Sequence, residues 1–238
     1  VRIAVPEARY EFAYLRAADD AVRGGFSPFA GFPDLQEVYR SRELPPFFQN
    51  RVMPQGRAEF ASHVVELGLD HDASPEAILA RTSGRRATDP YEIFAEFEPT
   101  AALGLWETRF FARSLRYLGF PEAIDKLVPG QRLLCMQDVQ NPKDPKAIAL
   151  RTDEGEALVG FCPAYLVDDL GPILEEPDAV VVTVERLNPQ PAPLQHRLQC
   201  HLRVRLREDF HAYRTGRFEP LSGEALRLTP WVLAPRVA

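Results

Sequence analysis

Lysine is nearly missing from this 238-residue chain. Lys126, Lys143 and Lys146 are its whole complement, and the rest of the 28 basic residues are arginine, the usage of a GC-rich bacterial genome. Against them stand 34 acidic residues, for a formal net charge of −6. That balance excludes a broad basic field of the kind that coats duplex DNA non-specifically, and leaves room for a local basic cleft. Cysteine is scarce as well. Cys135, Cys162 and Cys200 are odd in number and far apart. They offer neither a CxxC metal pair nor a disulfide framework, which points to a reducing compartment. Each lies in an apolar run, where an inert buried thiol is the default. No apolar run approaches the roughly 18 residues of a membrane-spanning helix. The opening VRIAVPEARYEF lacks the basic start and apolar core of a secretory signal. A cytoplasmic protein without membrane contact is expected.

Catalytic signatures are also wanting. His63, His71, His196, His201 and His211 show no HExxH spacing, and there is no GxSxG elbow, phosphate-binding glycine loop or kinase motif set. The acidic neighbours Asp19 and Asp20, Asp168 and Asp169, and Glu175 and Glu176 are adjacent in sequence, so each pair diverges on a helix or strand. No enzyme, no cofactor and no metal site is expected.

Proline, by contrast, is abundant: 22 residues, nearly twice the usual share of about 5%, so much of the chain is connection. Alternation over 10–14 predicts a strand, and Gly24-Gly25 a turn. Residues 35–39 and 45–50 read as short helical turns. A helix over 58–67 places Phe60, Val64 and Leu67 on one face and ends at Gly68. Ser74-Pro75-Glu76 reads as a helix start, with serine as cap, proline in the first turn and an acid behind it; that helix runs to about 81. Alternation returns over 91–97, and a linker-like strip over 96–108 marks a soft boundary.

The most informative stretch is 132–163. Residues 132–138, 147–151 and 157–161 read as three strands of a meander. Asn141-Pro142-Lys143-Asp144-Pro145 interrupts the first two, because proline fixes φ and removes a ladder donor. Thr152-Asp153-Glu154-Gly155 turns the second into the third. Asp144 is thus held at the lip of a rigid turn. Its carboxylate can bind a ligand hydroxyl, or cap its own loop as an Asx-type turn. A first strand over 109–118, a helical excursion at 121–127, a helix over 164–174 with Leu166, Leu170 and Leu174 on one face, and a strand over 179–187 complete the region. Residues 195–207 alternate most clearly. Leu198, Cys200, Leu202, Val204 and Leu206 fall on one side; Arg197, Gln199, His201, Arg203, Arg205 and Arg207 fall on the other. That second side reads as an anion-binding arginine ladder or as a charge-guarded edge strand.

Pro129, Gly130, Leu133, Asn141, Pro142, Asp144, Pro145, Ala147, Ile148, Val159, Gly160 and Pro163 together resemble the HIRAN domain, a small β-barrel. The likeness spans about 109–187 and extends to about 207, with Arg116-Tyr117 resembling that family's Arg-Tyr pair. It implies capture of a free 3′ end of single-stranded DNA. An aromatic stacks on the terminal bases, an arginine and backbone amides hold phosphate, and the loop Asp accepts the 3′-hydroxyl. Arg116, Tyr117 and Asp144 inherit those roles by position. Lys143 stands where DNA-binding relatives carry a second aromatic, and Lys146 where asparagine is common. Lysine cannot stack like tyrosine but neutralises a phosphate. Arg203 and Arg205 are further candidates.

Upstream, Pro46-Phe47-Phe48-Gln49-Asn50 through Gly56, with Glu76 through Gly84, resembles the N-terminal subdomain of HipA-family kinases over about 8–95. That subdomain carries no kinase chemistry. The likeness implies a protein–protein regulator, antitoxin-like, docking a HipA-type kinase. The expected organisation is α+β: a small mixed domain at 1–98, an antiparallel HIRAN-like β-barrel with one or two helices at 109–210, and an extension at 211–238. The expected function is a non-catalytic nucleic-acid-binding module, its partner single-stranded DNA and, beyond that, a kinase or helicase-type protein.

Overall fold

The computed structural model describes residues 2–4, 10–89, 91–94, 105–117, 122–153, 157–176, 178–205 and 219–223. Residues 96–104 of the linker expected over 96–108, the strand end at Leu206 and Arg207, and most of the 211–238 extension lie outside them, while 105–108 open a strand. Among the described residues no helix is long and apolar enough to cross a membrane. The chain divides into two compact units, 1–52 with 213–238, and 53–212.

The first unit is built on an antiparallel sheet of β1 (Arg2–Ala4), β2 (Tyr10–Ala13) and β3 (Tyr39–Ser41), with β2 in the middle. Two short helices, α1 (Ala17–Arg23) and α2 (Pro46–Gln49), accompany it. Its interior is aromatic. Phe12 stacks on Phe32 at 3.8 Å between ring centres and meets Tyr14 edge-on at 5.1 Å. The Tyr14 hydroxyl, fully buried, donates to the Phe32 carbonyl at 2.9 Å and accepts from the Phe29 amide at 2.8 Å. Phe48 is core and Phe47 packs 4.3 Å from Phe29. The expected helical turn at 35–39 does not form. Tyr39 instead opens β3 opposite Phe12, where a cross-strand aromatic pair outweighs local helical preference.

In the second unit come α3 (Phe60–Glu66) and α4 (Pro75–Thr82), then a six-stranded antiparallel sheet. Its strands are β4 (Leu105–Phe111), β5 (Arg132–Gln137), β6 (Ile148–Thr152), β7 (Leu158–Phe161), β8 (Val180–Leu187) and β9 (Leu198–Arg205), with α5 (Glu122–Asp125) and α6 (Ala164–Leu170) interspersed. Ser74 caps α4 as expected, accepting from the Ala77 amide at 3.2 Å. The order β4-β9-β8-β5-β6-β7 leaves β4 and β7 as edges. They meet just past the end of β4. The Arg113 amide donates to the Phe161 carbonyl at 2.8 Å, and Phe161 returns the bond at 3.1 Å. The sheet therefore curls into a barrel whose seam is one bridge wide.

The period-2 pattern decides what fills it. Leu198, Cys200, Leu202 and Val204 of β9 are all fully buried, joined by Trp106, Phe110, Leu133, Ile148, Leu150, Val182 and Val184. Leu166 and Leu170 of α6 close one end. Each such side chain contributes about 1.5–3 kcal/mol by leaving water. Gly160 permits the seam. Its φ is +151°, and a Cβ there would lie 2.9 Å from the Ala112 Cβ and 3.1 Å from Leu115.

Side chains of the barrel and of α4 also finish α3. A helix leaves its last carbonyls without partners. Here Arg186 donates to Val65 O at 3.2 Å, Asn188 to Glu66 O at 2.7 Å, and Gln199 and Arg81 to Leu67 O at 3.1 and 2.9 Å. Gly68, at φ +67°, takes the chain out of the helix where a Cβ would strike Gln199. Gln199 thus lies buried rather than on a solvated ladder.

Candidate functional site

The strand expected over 109–118 ends at Phe111. Ser114 takes a left-handed φ of +63°, and Leu115–Tyr117 form a 3-10 turn whose Tyr117 amide donates back to the Ser114 carbonyl. Leu115 is buried in the barrel core. Anchored by it, Arg116 and Tyr117 point outward, and the tyrosine ring is 68% exposed. A strand would have set these two on opposite faces; the tight turn presents both to solvent.

The loop between β5 and β6 arrives at the same place. Asp138 and Ala147 close it by a main-chain bond of 2.7 Å. Inside, Asn141 Oδ1 accepts from the amides of Lys143 and Asp144 at 3.0 and 3.2 Å, and Gln137 donates to Pro145 O at 3.2 Å. With two prolines as well, the loop has little freedom left. It sets Lys143 Nζ 4.9 Å from the centre of the Tyr117 ring, while the Arg116 guanidinium lies 5.9 Å from the same centre. One exposed aromatic ring thus carries two cations. Neither Arg116 nor Lys143 forms an ion pair with a described residue.

Asp144 follows Lys143 directly. One of its oxygens accepts from the Lys146 amide at 2.9 Å, the Asx turn that the sequence allows. The other takes no hydrogen bond from a described residue. The turn fixes the carboxylate and leaves half its acceptor capacity open. Lys146 is engaged otherwise: its Nζ pairs with Asp168 at 2.9 Å, tying the loop to α6.

Arg203 and Arg205 lie elsewhere. They are exposed on the outer face of β9, opposite Glu107 and Leu105 of β4. From Glu107 to Arg113 is six residues of extended chain, roughly 20 Å, so the seam and the tyrosine turn are at the other end. Nor is this face an arginine ladder. Arg109 pairs with Glu185 at 2.9 Å, and His201 sits between Glu107 and Glu185 at 3.5 and 3.9 Å. Arg197 precedes the strand and pairs with Asp125. Carboxylates from β4 and β8 interleave with the β9 cations, so mutual repulsion demands no bound anion.

Arg113 was not singled out by the sequence. Its side chain pairs with Glu92 at 3.0 Å and donates to Ser83 Oγ at 2.7 Å. Burial lowers its pKa, with Glu92 pulling the other way. Burial also raises that of the Tyr165 phenol, whose ring stacks on Phe94 at 4.2 Å. These groups hold Ser83, Glu92 and Phe94 against the seam. Their common signal is three-dimensional, so no spacing along the chain reveals it.

Residues 106–207 match the family model of the HIRAN domain. The match does not reach 8–95. The chain is similar to a Lactobacillus plantarum protein of known structure, at 18% identity over 42% of this chain and 96% of that one, TM-score 0.34. It is also similar to the HIRAN domain of human HLTF, at 18% identity over 43% of this chain and 75% of that one, TM-score 0.31. No curated protein matches it.

Proposed function

We propose that the HIRAN domain at 106–207 serves as a nucleic-acid-binding module which captures the free 3′ end of a single DNA strand between the Tyr117 turn and the Asp144 loop. The observation that carries this reading is the approach of Lys143 to the exposed Tyr117 ring. Two segments from different parts of the fold meet there, and together they hold what such a ligand needs: a flat apolar face, cations and a fixed acceptor.

The division of labour follows from the chemistry. The terminal base stacks on Tyr117, contributing about 1–3 kcal/mol. The cation–π contact it displaces is worth about 0.5–1 kcal/mol at an exposed site, so the base wins the ring. Lys143, lifted from the ring, and Arg116 turn to the last phosphates. The open oxygen of Asp144 accepts from the terminal 3′-hydroxyl and repels a 3′-phosphate. Stacking and charge do not read base identity, so the module is indifferent to sequence. Catalysis on the bound strand belongs to a partner.

Fluorescence anisotropy of the full chain with labelled oligonucleotides tests the reading. Wild type binds single strands with a free 3′ end in preference to blunt duplex, and both Tyr117→Ala and Asp144→Ala weaken that binding. Equal binding by the three proteins overturns it.

A further inference from the structure

Away from the seam, α3 and the 3-10 turn at Leu194–His196 bring three potential ligands together. His63 and Glu66 lie three residues apart and share one face of α3. His196 comes from the turn before β9. One donor atom from each lies within 4.8 Å of the other two. His196 is only 9% exposed, and its Nδ1 is buried without a hydrogen-bond partner among the described residues, 4.0 Å from Glu66 Oε2. A buried polar atom left unpaired costs about 1–3 kcal/mol unless something satisfies it. We infer that His63, Glu66 and His196 form a binding site for a single divalent transition ion of zinc type.

The framework is built to hold these segments. The Asn188 side-chain amide, itself buried, donates at 2.7 Å both to Glu66 O and to His196 O. One amide therefore clamps both ligand-bearing segments, beside the carbonyl bonds that fix the end of α3. The Phe111 ring packs 5.0 Å from the His196 ring and backs it. A neutral imidazole carries a lone pair on its unprotonated ring nitrogen, so each histidine can serve as a ligand. Two imidazoles and a carboxylate suit zinc, and they leave a fourth position for water. Tetrahedral bonds of about 2.0–2.2 Å set donors roughly 3.3–3.5 Å apart. Rotation of the half-exposed Glu66 carboxylate and of the His63 ring closes that gap. Glu66 also lines an open cleft of about 570 Å³ with His71, Arg186 and Asn188. The sequence hides the site because His196 lies far along the chain from the His63-x-x-Glu66 pair, and no HExxH spacing advertises it.

The test uses the full chain stripped with a chelator and titrated with Zn²⁺ against a chromophoric competitor, with the Co²⁺ visible spectrum as a second readout. Wild type binds one equivalent and gives the intense bands of low-coordinate Co²⁺. Losing a ligand costs more than the 10–100-fold that loss of an outer-sphere partner costs, so His63→Ala and Glu66→Gln each lower affinity by about 100-fold or more and abolish the bands. His196→Ala behaves alike if it folds, and the two helix variants decide the matter if it does not. No zinc binding by wild type, or binding undiminished in His63→Ala and Glu66→Gln, overturns the assignment.

Discussion

Lys143 Nζ sits 4.9 Å from the centre of the Tyr117 ring, so a proline-bound loop and a 3-10 turn share one exposed aromatic face. On the proposed reading the ring stacks a base and the cation meets a phosphate, so the two parts respond differently to substitution.

Removing the platform removes stacking alone. Tyr117 is 68% exposed, so Tyr117→Ala leaves the melting temperature nearly unchanged. Its affinity for single-stranded DNA falls by about 5–150-fold, the equivalent of about 1–3 kcal/mol. Tyr117→Phe keeps the ring and keeps most of the affinity. Anisotropy beside thermal melts measures both.

Removing the cation changes the salt dependence. Lys143→Ala lowers the slope of log K against log salt by about 0.7, the share of one phosphate contact on a single strand. Lys143→Tyr adds a second stacking surface: affinity rises at high salt while the slope stays reduced. Titrations across a salt series measure both effects.

The seam depends on a missing side chain. Gly160 has φ +151° and no room for a Cβ beside Ala112. Gly160→Ala forces a strained backbone and parts β7 from Arg113, at a cost of roughly 1–3 kcal/mol. Melting temperature and DNA affinity then fall together, because the Tyr117 turn hangs from the same seam. Denaturant unfolding with anisotropy on the same samples tests the link.

His201 on the outer face makes stability depend on pH. Burial lowers its pKa, helped by Arg109 and Arg203 and opposed by Glu107 and Glu185. The unfolded chain takes up this proton first as pH falls below about 6.5. Stability is therefore complete above that pH and declines as pH drops towards the lower folded value. His201→Gln removes this share, so its stability falls less steeply than wild type as pH drops below about 6.5. Urea melts at a series of pH values show the difference in slope.

What the sequence made legible was whatever repeats or punctuates locally. The alternation of Leu198, Cys200, Leu202 and Val204 placed β9 and its buried face, and the prolines around Asp144 placed the rigid loop and its Asx turn. Ser114 hid the end of β4, since serine rarely takes a positive φ and nothing in the local pattern announces it. The outer face of β9 looked uniformly cationic because Glu107, opposite Arg203, and Glu185 come from neighbouring strands. Burial of Gln199 was equally hidden, because its partner is a carbonyl at the end of α3, far away in the chain.

The central claim concerns a carboxylate oxygen that reads the end of a strand. Its most direct test is the affinity of the full chain for one single-stranded oligonucleotide ending in a 3′-hydroxyl and for the same strand ending in a 3′-phosphate. A charge-assisted hydrogen bond gained in one and repulsion met in the other amount to at least about ten-fold. The account predicts that preference for the hydroxyl, and its narrowing in Asp144→Asn. Equal affinity for the two ends, or no binding of either at low salt, contradicts it.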